Sequence, residues 1–173
     1  MGRTLLLTGR PGVGKTTVIK AVAETLGNRA GGFYTEEIRG PGGRKGFRLV
    51  TLDGQETVMA HVNLRGQGRP RVSRYGVDVG AIDRVGVAAL RRAMNECEVV
   101  IIDEIGKMEL FSGQFRDAVL QAAGGPRPVV ATVMSKPNPW VDALKSLPQI
   151  EIWEVTMENR ERMAERVVKW LKR

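Results

Sequence analysis

The sequence is poor in the residues that build disulfide frameworks, multi-histidine metal sites and membrane spans. Of its 173 residues, one is cysteine (Cys97) and one is histidine (His61). An intramolecular disulfide is therefore excluded, and His61 has no second histidine with which to share a metal. No apolar run approaches the roughly 20 residues that a membrane span needs. MGR leads directly into a strand-like TLLL without a cleavage site, so we expect a cytoplasmic protein without a membrane partner.

Aromatic residues are also scarce, at 5% of the chain. No row of aromatics alternates with basic residues, as a platform for stacking nucleic-acid bases would require. Apolar residues (42%) and charged residues (27%) occur at globular frequencies, which excludes disordered and fibrous classes. The net charge of +8 favours an anionic partner such as nucleotide phosphates, RNA or DNA. The length favours one domain over residues 1–173, and without coiled-coil heptads we expect a monomer.

Strand-like and helix-like segments alternate along most of the chain, as in a three-layer α/β fold around a mostly parallel sheet. Residues 31–62 differ, because turn signals such as Asp53-Gly54 separate short strand-like runs and predict a small antiparallel β insertion. The arginine- and glycine-rich residues 63–76 read as a loop, so the insertion and its basic loop span about 31–76. Strands are predicted over 3–8, 99–102, 128–133 and 150–155, and helices over 15–26, 81–96, 115–123, 139–147 and 157–171, the last capped by Thr156.

A glycine-rich segment, GRPGVGKT at 9–16, matches the phosphate-binding pattern G-x-x-x-x-G-K-[ST] at every fixed position. Its glycines allow backbone N–H groups to surround a phosphate at the start of the following helix. Lys15 is expected to reach the β- and γ-phosphates, and the Thr16 hydroxyl to bind Mg²⁺. The predicted nucleotide-binding residues of this segment are Gly9, Arg10, Pro11, Gly12, Val13, Gly14, Lys15, Thr16 and Thr17.

Two consecutive acids follow the most apolar run of the chain, VVII at 99–102. Asp103 stands where a phosphate-loop fold places the acid that holds Mg²⁺, usually through water. Glu104 is then free to activate water for attack on the γ-phosphorus, although the alternative is a solvated strand end. Lys107 is a further catalytic candidate that could stabilise developing phosphate charge, or an ordinary surface lysine.

Six segments, in order, carry a resemblance to a known family: LLLTGRPGVGKTT, GGFYTEEIR, GFRLVTLDG, RVSRYGVDV, VVIIDEIGKMELFS and EVTMENR. The sequence resembles the small nucleoside-triphosphatases first recognised in thermophiles, whose animal member is called cancer-related nucleoside-triphosphatase. This resemblance implies a RecA-like phosphate-loop fold with broad, slow, Mg²⁺-dependent hydrolysis of ATP, GTP, CTP and UTP or TTP to the diphosphate. It also implies nucleotide contacts from Asp103, Glu104, Ile105 and Gly106, and from Asn159 and Arg160 near the nucleobase.

Two other functions remain open at the level of sequence. A nucleotide or polynucleotide kinase could use the arginine-rich loop as a lid, although an acid directly after Asp103 counts against a site that must suppress water attack. A nucleic-acid-binding module switched by nucleoside triphosphate is permitted by the charge of +8. Hydrolysis also requires a charge-stabilising arginine, for which the candidates are Arg10, Arg39, Arg65 and Arg71, or a residue of a partner.

Overall fold

A computed structural model describes residues 2–173 and places nine strands in one mixed sheet, in the order β5-β6-β4-β3-β2-β7-β8-β1-β9. The five strands from β2 to β9 in that order are parallel, and the other four extend the sheet in antiparallel fashion. The strands are β1 (Thr4–Thr8), β2 (Ala30–Gly40), β3 (Gly43–Thr51), β4 (Glu56–His61), β5 (Arg71–Val72), β6 (Tyr75–Val77), β7 (Val99–Ile105), β8 (Val129–Val133) and β9 (Ile150–Glu154).

Helices cover both faces of the parallel half, so the predicted three-layer α/β fold is confirmed. Alternation along β1 explains the layering, because Leu5 and Leu7 pack on one face while Leu6 packs on the other. The first face is covered by α1 and α6, and the second by the helices between β6 and β9. The helices are α1 (Lys15–Leu26), α2 (Val79–Ala81), α3 (Ala88–Glu96), α4 (Gly113–Gly124), α5 (Pro139–Lys145) and α6 (Arg160–Leu171).

The antiparallel strands form a continuation of the central sheet, because β2 pairs with β7 through its first half and with β3 along most of its length. The prediction of a loop over 63–76 is wrong for its last part. Arg71–Val72 and Tyr75–Val77 form a hairpin that pairs with β4. Buried Tyr75 and Val77 supply the apolar contacts that hold this hairpin on the sheet.

Two predicted helices differ from the structure at their starts. The helix predicted over 81–96 includes a π-helical turn, Ile82–Val87, between α2 and α3. The last helix begins at Arg160, three residues later than predicted. Thr156 and Asn159 instead exchange hydrogen bonds, from each backbone N–H to the other side chain, at 2.8 and 3.2 Å. This reciprocal pattern is that of a capping box, formed one turn before α6.

Strand β7 continues three residues beyond the apolar run predicted from the sequence, to Ile105. Ile105 is buried and pairs with Val133 of β8, which keeps the chain extended past Asp103 and Glu104. The peptide bond between these two acids is cis. Within residues 2–173, none of the helices has the length and apolar character to cross a membrane.

Candidate active site

The phosphate-binding segment forms a loop between β1 and α1 at the carboxyl edge of the parallel strands. Gly12 and Gly14 adopt φ angles of 80° and 114°, which glycine reaches without the strain that a Cβ would cause. In the described part of the chain no side chain caps the start of α1, and the first turn of this helix carries no acid. The helix therefore presents its first N–H groups and the positive end of its dipole to the loop.

Lys15 is buried at the centre of this loop, with only 8% of its surface exposed. Its Nζ donates a hydrogen bond to the carbonyl oxygen of Gly9 at 2.7 Å and lies 3.8 Å from Oε2 of Glu104. A buried ammonium requires such partners, because the loss of hydration is otherwise uncompensated. The geometry directs a positive charge at the space between the loop and β7.

Asp103 is completely buried and receives three hydrogen bonds. Thr16 Oγ1 donates to its Oδ2 at 2.9 Å, Thr132 Oγ1 donates to its Oδ1 at 2.5 Å, and the backbone N–H of Thr35 donates to Oδ2 at 3.3 Å. Burial raises the pKa of the Asp103 carboxyl, while these three bonds oppose the rise by favouring the charged form. Three other segments of the chain thus donate hydrogen bonds to one carboxylate.

Glu104 differs from its neighbour, because about one third of its side chain is exposed. Burial of the remainder raises the pKa of Glu104, the positive charge of Lys15 opposes this, and the charge of Asp103 adds to it. A carboxylate with a raised pKa accepts a proton more readily than an ordinary surface glutamate. Glu104 thus combines access to water with increased basicity.

The residues predicted to bind Mg²⁺ fit that ion. Thr16 and Asp103 supply a hydroxyl and a carboxylate oxygen that already lie 2.9 Å apart, and both are hard donors of the kind that Mg²⁺ prefers. Within residues 2–173, no cluster of three His, Cys, Asp or Glu side chains could hold a metal ion. Protein Mg²⁺ sites are commonly built from one or two protein oxygens together with phosphate oxygens and water.

A cavity of about 530 Å³ lies between the phosphate loop and the β9–α6 connection. Arg10, Met157 and Arg160 are among the residues that line it. Arg160 also donates a hydrogen bond to the carbonyl oxygen of Val13 at 3.3 Å. Asn159 instead shapes the wall, because its side-chain amide accepts from the N–H of Thr156 and donates to the carbonyl of Glu154, each at 2.8 Å.

A family model described as NTPase matches residues 4–168 of this chain. The chain belongs to this NTPase family. It is 43% identical to "Nucleoside-triphosphatase THEP1" of Thermotoga sp. (strain RQ2) over 168 residues, which cover 97% of this chain and 95% of the relative. A protein of the same name from Methanocaldococcus jannaschii is 39% identical, over a match that covers 95% of this chain and 94% of the relative. The resemblance stated from the motifs is thereby confirmed.

Two solved structures of NTPases are similar to this chain along its length. The crystal structure of THEP1 from Aquifex aeolicus has a TM-score of 0.89 at 40% identity, covering 98% of this chain and 99% of that chain. The solution structure of a human cancer-related nucleoside triphosphatase has a TM-score of 0.83 at 37% identity, covering 99% and 98%. The fold of this NTPase is therefore shared from end to end.

Three site residues of the NTPase chain escaped prediction from sequence. Thr132 could have been identified from the sequence, since it is a hydroxyl residue near the carboxyl end of a buried apolar strand. The role of Thr35 could not have been identified from the sequence, because this residue contributes only a backbone N–H. Glu109 is 4% exposed, and its Oε2 accepts a hydrogen bond from the N–H of Gly106 at 3.1 Å. The sequence feature that points to Glu109 is a carboxylate six residues after Asp103, within an otherwise apolar MEL segment.

Within residues 2–173, Lys107 and the candidate arginines form no hydrogen bond or ion pair with Asp103 or Glu104. The side chain of Lys107 is exposed. Among the candidate arginines, Arg10 lines the cavity, and Arg39 pairs with Glu37 at 2.6 Å. Arg65 and Arg71 lie in or before the β5–β6 hairpin, and β5 is five strands away from β7, roughly 24 Å.

Proposed function

We propose that this chain hydrolyses nucleoside 5′-triphosphates to the diphosphate and phosphate, using Mg²⁺ and a water activated by Glu104. The observation that carries the proposal is the placement of Lys15 Nζ at 3.8 Å from Glu104 Oε2. Beside this pair, a buried Asp103 accepts a hydrogen bond from Thr16. The site therefore combines a phosphate cradle, a metal-binding pair and a solvent-accessible base.

Each residue has a distinct role in the proposed reaction. Lys15 leaves the carbonyl of Gly9 to neutralise the β- and γ-phosphates, and the N–H groups at the start of α1 bind phosphate oxygens. Thr16 and Asp103 hold Mg²⁺, which offsets phosphate charge when bound. Glu104 takes a proton from the attacking water, and the bond between the γ-phosphorus and the bridging oxygen breaks as the new P–O bond forms. Lys107 is assigned no contact in this scheme.

The cavity beside the phosphate loop is proposed as the site of the nucleobase, with Arg160 on its wall. An exposed methionine, Met157, and a flexible arginine offer contact area without a fixed pattern of donors and acceptors. A buried polar pattern would be needed to discriminate strongly among bases. We therefore propose broad use of ATP, GTP, CTP and UTP or TTP by a cytoplasmic monomer.

Phosphate release from the four nucleotides with Mg²⁺ tests the proposal. Glu104→Gln is expected to lower kcat on the order of 100- to 10,000-fold, because the base is lost, while binding of the Mg²⁺ nucleotide is retained. Lys15→Ala should lose both kcat and binding. The exposed Glu24 on α1 provides the matched control Glu24→Gln, which should behave as the wild type. Full activity of Glu104→Gln would contradict the assignment of the base.

The same assay, repeated with nucleoside, nucleoside monophosphate or 5′-hydroxyl oligonucleotide, distinguishes the kinase hypothesis. The arginine-rich segment that suggested a lid, residues 63–76, is hydrogen-bonded to the edge of the sheet. Arg69 donates to the carbonyl of Val77 and Arg74 donates to that of Arg44. Transfer of labelled phosphate to an acceptor, with no release in its absence, would favour a kinase over hydrolysis.

A second candidate function, binding of RNA or DNA, rests on an arginine cluster around one phenol. Arg44 and Arg74 both lie over the ring of Tyr75, at 5.6 and 5.4 Å from its centroid, and Arg39 is nearby on the β2–β3 hairpin. Glu37 pairs with both Arg39 and Arg44, and the positive charge that remains in excess favours a polyanion. A salt-dependent gel shift with mixed oligonucleotides should weaken in Arg39→Glu and Arg74→Glu, and its absence at low salt would exclude this function.

A further inference from the structure

A second buried carboxyl group, that of Glu109, lies near the proposed base Glu104. Glu109 begins a short 3₁₀ turn, Glu109–Phe111, after β7, and its surface is 4% exposed. Its Oε2 accepts a hydrogen bond from the backbone N–H of Gly106 at 3.1 Å. Within residues 2–173, no lysine or arginine forms a salt bridge with it. A buried acid without a cation needs another reason to be kept, since burial disfavours its charged form.

Gly106 is the point at which Glu109 meets Glu104. A Cβ at Gly106 would lie 2.7 Å from Glu104 Oε1 and 2.9 Å from Glu109 Oε2. Both carboxyl groups therefore border the same small space beside the Gly106 backbone, one from the end of β7 and the other from the 3₁₀ turn. A side chain at position 106 would therefore force these carboxyl groups to move.

We propose that Glu109 is a positioning residue for Glu104: it holds the Gly106 turn through the backbone N–H and supports the Glu104 carboxylate from behind. This inference rests on the proposed function, in which Glu104 activates water. Glu109 does not touch the substrate in this scheme. It confines the base to one orientation, on which the rate of proton transfer depends.

The chemistry of the Glu109 carboxyl suits this role. Burial, together with the negative charge of Glu104, raises the pKa of Glu109 to about 8. At neutral pH the group is therefore mostly protonated, so that one oxygen can accept from Gly106 while the other carries a proton and adds no negative charge beside Glu104. A glutamine side chain has the same length as a protonated glutamate and likewise carries one acceptor oxygen beside a donor group.

The test compares three variants at residue 109 with MgATP as substrate. Glu109→Gln keeps reach and hydrogen bonding without the charge, and we expect its kcat within about threefold of the wild type. Glu109→Asp keeps the carboxyl but withdraws it from Gly106, and Glu109→Leu removes the polar group. Both should lower kcat, the leucine variant on the order of 100-fold, with KM nearly unchanged. Glu24→Asp on the exposed face of α1 is the matched control.

A second measurement separates positioning from general damage to the fold. In a Glu104→Gln background, Glu109→Asp and Glu109→Leu should have little further effect on single-turnover phosphate release, because the base that they orient is absent. Equal losses in both backgrounds, or aspartate outperforming glutamine, would overturn the inference. Failure of the proposed function is distinct, since Glu104→Gln alone would then retain activity.

Discussion

Thr132 of β8 donates a hydrogen bond from its hydroxyl to Asp103 of β7 at 2.5 Å, and both side chains are completely buried. The bond joins two adjacent parallel strands at the edge where the phosphate loop lies. It satisfies Oδ1, the oxygen that does not face Thr16. The strand neighbouring the proposed metal acid therefore controls its orientation.

Thr132→Val should weaken Mg²⁺ binding and stability together, because it leaves a buried carboxylate oxygen unsatisfied at nearly constant volume. We expect a loss of about 1 to 3 kcal/mol in the free energy of unfolding and a higher Mg²⁺ concentration for half-maximal activity. Thr4→Val on β1 is a matched control, since Thr4 is buried and its hydroxyl has no hydrogen-bond partner among residues 2–173. That variant should be neutral or more stable, and an equal loss in both variants would contradict the role of Thr132.

Glu109→Gln should remove a pH dependence of stability in the metal-free protein. The pKa of Glu109 rises from 4.5 to about 8 on folding, so the folded chain binds more protons than the unfolded chain across that window. Stability of the wild type therefore falls as pH rises from about 4.5 to 8, relative to the variant. Each pH unit contributes at most about 1.4 kcal/mol. Urea unfolding in EDTA from pH 5 to 9 measures the difference, and a constant difference would contradict this prediction.

Gly106→Ala should reduce turnover without a large loss of stability. The added Cβ would approach the far ends of two side chains, Glu104 and Glu109, at 2.7 and 2.9 Å, so these side chains must move. A displaced base should lower kcat on the order of 100-fold, while Tm changes little. Gly113→Ala is the control, because its Cβ would meet only Arg116 Nη2 at 3.5 Å. Unchanged kcat in Gly106→Ala would show that the position of Glu104 tolerates this shift.

Asn159→Ala should loosen the wall of the cavity proposed for the nucleobase. The variant loses the hydrogen bonds to Thr156 and Glu154 that shape the β9–α6 connection. We expect KM to rise about five- to thirtyfold for all four nucleotides, as one or two bonds of about 1 kcal/mol are lost, with kcat nearly constant. Asn95→Ala, at an exposed position of α3, is the control. A rise confined to one nucleotide would instead indicate that Asn159 reads the base.

The local features of this NTPase followed from the sequence because their causes lie within a few residues. The phosphate loop needs only glycines, a lysine and a threonine at set spacings between a strand and a helix. Asp103 and Glu104 were identifiable from the apolar run before them. Helical and strand periodicity located β1, α1, β8 and β9 with small errors at their ends, since periodicity reports which side chains face the core.

Tertiary structure decided which distant groups meet. Thr132 and Thr35 reach Asp103 across 29 and 68 residues of sequence, because strand order brings β8 and β2 to either side of β7. The β5–β6 hairpin depends likewise on pairing with β4, which overrides a glycine- and arginine-rich composition typical of loops. Glu109 is buried against Gly106 by the turn after β7. Such contacts depend on strand order and long-range packing, whereas sequence spacing encodes only local geometry.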